Sequence, residues 1–416
     1  MGSKYPKSLR ISLPLWALIL EIVFILVFFF FTSYEQPSEK SELLKTYPAF
    51  QDINVMLVLG LAFFKASLWR YTWSSVAFNL FSLAVGVQWA IILDGFLFNF
   101  STRKFAINIH SIIKGTMSTM VVLISSGATL GKINLVQLIV MTLLEVTAFQ
   151  GTKKLMQEFL KMYEYESLMQ IHIFGAYFGV AAAWRLSESE LNMAKEKERR
   201  AVASNLFTAL GTLFLWIFWP TFNSVLLNSP GEKEIAIYNT YYALAVSAVT
   251  AMSFSAATHS NGKISMTHVH RATLAGGVAI GVSTIIIKSP WIAMVLGFSA
   301  GTIAVIGDKY LPRFFNQVIR LHDTCGVHAT FGLPALLGRL IYILLIAGHN
   351  GWTNLSETGN KILISAGYLG LPMAMGLGGG VLTGLILSFN IWKSPHEAKY
   401  FDDQAFWEFP HLAVGF

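Results

Sequence analysis

Apolar runs of about twenty residues recur about twelve times along this chain, and that recurrence fixes the solvent it must fold in. A hydrocarbon core of about 30 Å takes roughly 20 apolar residues per helix. The runs fall near Leu13–Thr32, Ile53–Trp69, Ser74–Leu97, Ile107–Ser126, Leu135–Gln150, Leu168–Trp184, Ala203–Leu227, Ile235–Thr258, Thr267–Ile287, Trp291–Gly307, Val327–Gly348 and Ile362–Phe389. Only 13% of the 416 residues are charged, about half of what a soluble protein carries. The expected fold is an all-α polytopic membrane protein of about twelve transmembrane helices, in a single membrane domain spanning 1–416. The fourth run, interrupted by Lys114 and Gly115, is the one expected to be least regular.

Loop charges predict the orientation. Lys4, Lys7 and Arg10 precede the first span, Lys195, Lys197, Arg199 and Arg200 crowd the loop after the sixth, and Lys309, Arg313 and Arg320 follow the tenth. With twelve spans these segments share one side, which the positive-inside rule makes cytoplasmic together with both termini. The sequons at Asn99 and Asn354 then fall outside, as glycosylation requires. The net charge of +7 follows from the same rule, and the basic residues lie scattered in short loops rather than in the clustered surface that nucleic acid needs. One cysteine, Cys325, rules out an intramolecular disulfide and supplies too few thiols for a structural metal site. The first run is of span length without a small-residue cleavage site, so it reads as a retained helix rather than a signal peptide.

Two of the runs carry a histidine in matching surroundings. Ile171-His172-Ile173-Phe174-Gly175-Ala176-Tyr177-Phe178-Gly179-Val180 is echoed by Gly326-Val327-His328-Ala329-Thr330-Phe331-Gly332-Leu333-Pro334. An ionisable side chain inside a membrane helix is costly and is by default a candidate functional group; the plainer reading is that each imidazole bonds a neighbouring helix and only packs. If residues 13–32 are an added first helix and 362–389 a closing one, five spans lie in 53–184 and five in 203–348. An odd number per group inverts the second relative to the first. In such inverted repeats the substrate site lies near the midplane, and His172 and His328, each in the last helix of its group, are expected to face each other there. Residues 390–416 remain as a cytoplasmic tail.

Gly276-Gly277, Gly281, Gly376, Gly378-Gly379-Gly380 and Gly384 read as notches for close helix approach, since no strand and no phosphate-binding lysine accompanies them. Glu21, Asp94, Glu145 and Arg339 are read as interhelical pairs or snorkelling groups before relay members. His268 and His270 are read as interfacial rather than as metal ligands, for want of a third ligand at suitable spacing. No cofactor motif and no nucleophile–base pair is evident, so an enzyme is not expected.

The segments Asp323-Thr324-Cys325-Gly326-Val327-His328, Ile171 to Gly179, Ala272-Thr273-Leu274-Ala275-Gly276-Gly277-Val278-Ala279 and Phe218-Trp219-Pro220-Thr221-Phe222-Asn223-Ser224 resemble signature segments of the ammonium transporter/Rhesus family. Leu13-Pro14-Leu15-Trp16-Ala17-Leu18 and Ser394-Pro395-His396-Glu397-Ala398-Lys399-Tyr400-Phe401-Asp402-Asp403 point to its mammalian blood-group branch, and the likeness runs over nearly the whole chain. The resemblance implies a trimer whose protomers each have a narrow apolar pore with paired histidines at mid-membrane. His172 and His328 would be that pair, Phe222 the inner phenylalanine of the outer gate, and Trp219 an aromatic near the mouth. It implies ammonia or ammonium as substrate, with carbon dioxide as a further small molecule. It also implies a homo- or heterotrimer with the Rh-associated glycoprotein, contacts to membrane skeleton proteins, and a place in the erythroid plasma membrane. Neutral imidazole offers one donor and one acceptor, which suits ammonia or a relayed proton.

The chain departs from the family pattern at four positions. Met117 stands where the outer gate phenylalanine is expected and has no ring to attract a cation. Glu164 stands for an aspartate about two turns before the first histidine, and Lys114 adds a positive charge nearby. Ser12 replaces a lipid-bearing cysteine before Leu13-Pro14. The expectation is a subunit of a Rhesus-type complex whose own pore is retained but impaired; the alternative is a non-conducting structural subunit linking that complex to the membrane skeleton.

Overall fold

The computed structural model describes residues 8–35, 40–98, 104–187, 201–349, 355–395 and 400–408. Asn99 and Asn354, the two sequon residues, lie outside them. Among the described residues ten helices are long and apolar enough to cross a bilayer. We number the helices α1 Leu13–Phe31, α2 Lys40–Val55, α3 Leu61–Phe64, α4 Thr72–Phe98, α5 Ile109–Ala128, α6 Leu135–Phe159, α7 Glu164–Leu168, α8 Ile171–Leu186, α9 Val202–Ser224, α10 Pro230–Thr258, α11 Met266–Thr273, α12 Ala275–Ile280, α13 Pro290–Phe314, α14 Leu333–His349 and α15 Leu355–Leu387. The sixth and ninth expected spans are built from shorter pieces: α7 and α8 in one case, α11 and α12 in the other. They complete the twelve.

The fourth run is more regular than expected. α5 is one continuous helix, started by a capping box in which Asn108 accepts from the Ser111 amide at 2.8 Å and the Ser111 hydroxyl faces the Asn108 amide at 3.3 Å. Lys114 does not break it, since lysine is a good helix former, and its ammonium reaches the Glu164 carboxylate at 2.8 Å. The all-α expectation needs one amendment: Thr32–Tyr34 and Phe105–Ile107 pair as two short parallel strands.

α8 is the axis of the first group. Twelve of its residues are buried, because α5 and α15 approach it at backbone distance. A Cβ on Gly179 would lie 2.6 Å from Ser125 Cα, and one on Gly380 would lie 2.3 Å from the Phe178 carbonyl. The glycine run of α15 is therefore not uniform, since Gly378 has nothing within 4 Å of an added Cβ. Gly380→Ala should cost roughly 1–3 kcal/mol as an overpacked contact, whereas Gly378→Ala should leave thermal unfolding in detergent unchanged. Equal effects at the two positions would refute this division of roles.

Both ends of the described chain lie on one face. Lys393 Nζ donates to Ser12 Oγ at 3.1 Å, and the Trp16 and Trp392 rings lie 5.8 Å apart. Residues 400–408 strap that face: the Phe401 amide bonds the Gly131 carbonyl, the Asp403 amide bonds the Arg70 carbonyl, and Phe406 packs edge-on to Phe78 at 5.4 Å. The Asp403 carboxylate accepts from the Trp73 and Ser74 amides at 2.8 and 2.9 Å and from the Ser74 hydroxyl at 2.5 Å. Burial raises its carboxyl above the usual range, the bonds from Ser74 and Trp73 pull it down, and Asp402 lifts it again. A carboxyl whose docked value is raised holds its proton more tightly docked than free. Strapping should therefore strengthen as pH falls through that raised value and level off below about 3.9, the free-chain value. Limited proteolysis of the tail, normalised to Asp403→Asn at each pH, should slow accordingly; a rate that rises on acidification would contradict the sign.

Candidate functional site

The main apolar core runs through both groups of helices and contains Met117, Trp219, Phe222 and Phe331. His172, in the first turn of α8, is 2% exposed within it. Its ring is stacked between two others, Trp219 at 5.7 Å and 19° and Phe331 at 6.2 Å and 12°. Phe222 meets it edge-on at 5.8 Å. Nε2 of His172 has no hydrogen-bond partner. A buried imidazole nitrogen without a partner is a standing cost, and here its ring is packed by two stacked aromatic rings and a third edge-on.

His328 is placed differently from expectation. No ring contact or hydrogen bond joins it to His172; its neighbours are Tyr177 at 5.7 Å and Phe315 at 5.2 Å. The reason is local. Asp323 caps the segment by accepting from the Val327 and His328 amides, both at 2.9 Å. The helix then opens as a π-helical turn, His328–Gly332. That start leaves His328 lining a cavity of about 400 Å³ on the face that carries the chain ends, together with His268, Arg271, Asp308, His322 and Asp323. Phe331, one turn further on, lies against His172 instead. The expected face-to-face pair is thus an imidazole against a phenyl ring.

The remaining candidates divide. Trp219 is fully buried against His172 rather than placed at a mouth, and Phe222 is fully buried beside it. Met117 is fully buried in the same core. The Glu164 carboxylate is half-exposed and taken by Lys114, so Lys114 stands as half of an ion pair. Its neighbour does the inward work: the Tyr165 hydroxyl sits within 3.0 Å of the Asn223 and Gly281 carbonyls and 2.9 Å from Thr284 Oγ1, clamping α7 to the second group. Tyr165, Tyr177, Phe315 and Phe331 escaped the sequence reading, which weighed charges and histidines; the spacing of Phe331 one turn after His328 was the available signal. Asp94 pairs with Lys153 at 3.0 Å, Glu145 accepts from Ser125 at 2.5 Å, and Arg339 lies 4.5 and 4.9 Å from the Tyr342 and Tyr368 rings. Among the described residues no three potential ligands are grouped for a metal ion.

A bundle of about twelve crossings, with His172 buried among rings between its two groups of helices, defines a polytopic α-helical membrane protein. The profile of the Ammonium Transporter Family matches residues 15–406, and the chain belongs to that family. It is 55% identical over 417 residues to an RH-like protein of Macaca mulatta, with all of both chains covered, and 50% identical over the same length to the blood group Rh(D) polypeptide of Homo sapiens. Its fold is similar to that of Nitrosomonas europaea Rh50, a member of the Rhesus protein family of channels, with a TM-score of 0.78 and 26% identity over 91% of this chain and 94% of that one. A sensor Amt protein shares the fold at a TM-score of 0.69 and 19% identity, over 86% of this chain and 95% of that one. These likenesses carry the five-plus-five ammonium transporter fold to this chain.

Proposed function

We propose that this chain is a subunit of an oligomeric Rhesus-type complex in the plasma membrane, with an ammonia path retained in outline and impaired at its centre. Residues 13–32 are the added helix, 53–184 and 203–348 the two repeats, 362–389 the closing helix, and 390–416 the cytoplasmic tail, with both termini cytoplasmic. The relation to channels and to a blood group polypeptide supports ammonia as the permeant species and the red cell as the setting. Carbon dioxide is a further candidate, and the Rh-associated glycoprotein and the membrane skeleton are the candidate partners. The chemistry is transport rather than catalysis.

One observation carries the word impaired: the stack of Trp219, His172 and Phe331, edged by Phe222. Ammonia crossing an apolar constriction needs hydrogen-bond partners in place of water, and in this stack the open polar atoms are His172 Nε2 and the Trp219 indole N–H. Passage requires the rings to part. The same stack favours the second reading, a non-conducting structural subunit.

Stopped-flow measurement of ammonia-driven internal pH change in proteoliposomes separates the two. The expected result is a small rate above empty vesicles that changes in His172→Ala. A rate equal to that of empty vesicles, from folded oligomeric protein, would overturn conduction and leave the structural role.

A further inference from the structure

α1 lies on the outside of the bundle. Its packed edge is Leu20, Phe24, Val27 and Phe28, with Phe24 stacked on Trp89 of α4 at 5.9 Å. The opposite side, with Leu18, Ile22, Ile25 and Phe29 exposed, is what lipid contact demands. Glu21 does not fit that surface. It is exposed, and it stands within two residues of the midpoint of the Ser8–Phe31 span, the most apolar of the ten. Its one hydrogen bond comes from the Gln88 side-chain amide of α4 at 3.2 Å, and the same amide also reaches the Ala84 carbonyl at 3.3 Å. A shared neutral amide does not compensate a carboxylate, and a carboxylate facing hydrocarbon at this depth is costly unless something covers it. Asp94 and Glu145, by contrast, have inward neighbours in Lys153 and Ser125.

We propose that the α1–α4 face around Glu21 and Gln88 docks a transmembrane helix of another membrane protein that presents a lysine or arginine near its own midpoint. Charge complementarity selects the basic group, and Gln88 supplies a second polar contact beside it. A second copy of this chain fits poorly. A two-fold pairing of this face would set Glu21 near its own image, since such an interface uses the same patch twice. Nor does the chain expose, among the described residues, a lysine or arginine near the middle of a span; Arg339, which is so placed, is fully buried. The surface lies on α1 and α4, away from His172, so it does not depend on whether the pore conducts.

The test uses the full chain, labelled at its amino terminus and reconstituted in phosphatidylcholine vesicles. Three synthetic transmembrane peptides, otherwise alike, carry a central lysine, glutamine or leucine, and energy transfer reports association. The lysine peptide should bind about tenfold more tightly than the other two, the scale of interhelical polar contacts in lipid. Glu21→Gln should abolish that preference while leaving thermal unfolding of the bundle unchanged. Glu21→Lys should transfer the preference to a peptide with central glutamate, which keeps the proposal testable if the glutamine variant folds poorly. Equal binding of the three peptides, or a lysine preference that survives Glu21→Gln, would overturn the proposal. So would Glu21-dependent transfer between two labelled copies of the chain without peptide, which would assign the face to self-association. Ammonia conduction enters none of these readouts, so failure here and failure of the pore reading are separately visible.

Discussion

Phe331→His should raise ammonia conduction in proteoliposomes about tenfold over the wild-type chain. Phe331 is 2% exposed and nearly parallel to the His172 ring at 6.2 Å, and His172 Nε2 lacks a partner. A permeating ammonia at this point therefore loses the hydrogen bonds it had in water and finds few replacements, His172 Nε2 and the Trp219 indole N–H. Leaving a buried polar group unsatisfied costs about 1–3 kcal/mol, and each 1.36 kcal/mol taken off a barrier is about tenfold in rate. An imidazole at 331 is smaller than the phenyl ring it replaces and presents a donor and an acceptor to the same space. Phe331→Ala is the control for volume alone. If alanine raises the rate as much as histidine does, room rather than hydrogen bonding limits passage. A Phe331→His rate equal to wild type would show that the barrier lies elsewhere, with Met117 and Phe222 as the next positions to vary.

The sequence showed the bundle clearly and the centre of the site poorly, for a physical reason. Span length is set by bilayer thickness, so about twelve runs could be counted before any contact was known. The breaks in the sixth and ninth spans could not, because α8 and α12 owe their burial to neighbours that a hydropathy pattern does not reveal. The same holds for α5, whose Lys114 looked like an interruption until Glu164 was placed beside it. His172 was legible as a costly group in an apolar run. Its partner was misplaced because the π-helical turn and the Asp323 cap determine which of His328 and Phe331 points at it, and neither feature leaves a mark in composition. Glu164 and Tyr165 exchange their expected importance for a similar reason: one residue of helical phase decides that the carboxylate meets Lys114 outside and the phenol meets Asn223, Gly281 and Thr284 inside.

The second large effect is expected at the cavity that His328 lines. Arg271 of α11 and Asp308 of α13 form an ion pair with side chains 10% and 5% exposed, and Arg271 also donates to the Thr324 carbonyl at 3.4 Å. The guanidinium is wedged where Gly326 turns with φ +67°; a Cβ there would lie 2.3 Å from it. One pair thus joins α11, α13 and the loop that carries the Asp323 cap. Arg271→Met leaves Asp308 buried with only the His268 imidazole near it, at 3.8 Å, and should cost about 3–5 kcal/mol, as losing one partner of a buried pair does. Asp308→Leu should cost a similar amount by stranding the guanidinium. The double variant should recover most of either loss, because removing both charges also removes their desolvation penalty. Thermal unfolding of the four proteins in detergent closes the cycle. Losses that simply add in the double variant would mean that the two side chains act independently, and the cap on His328 would then need another support.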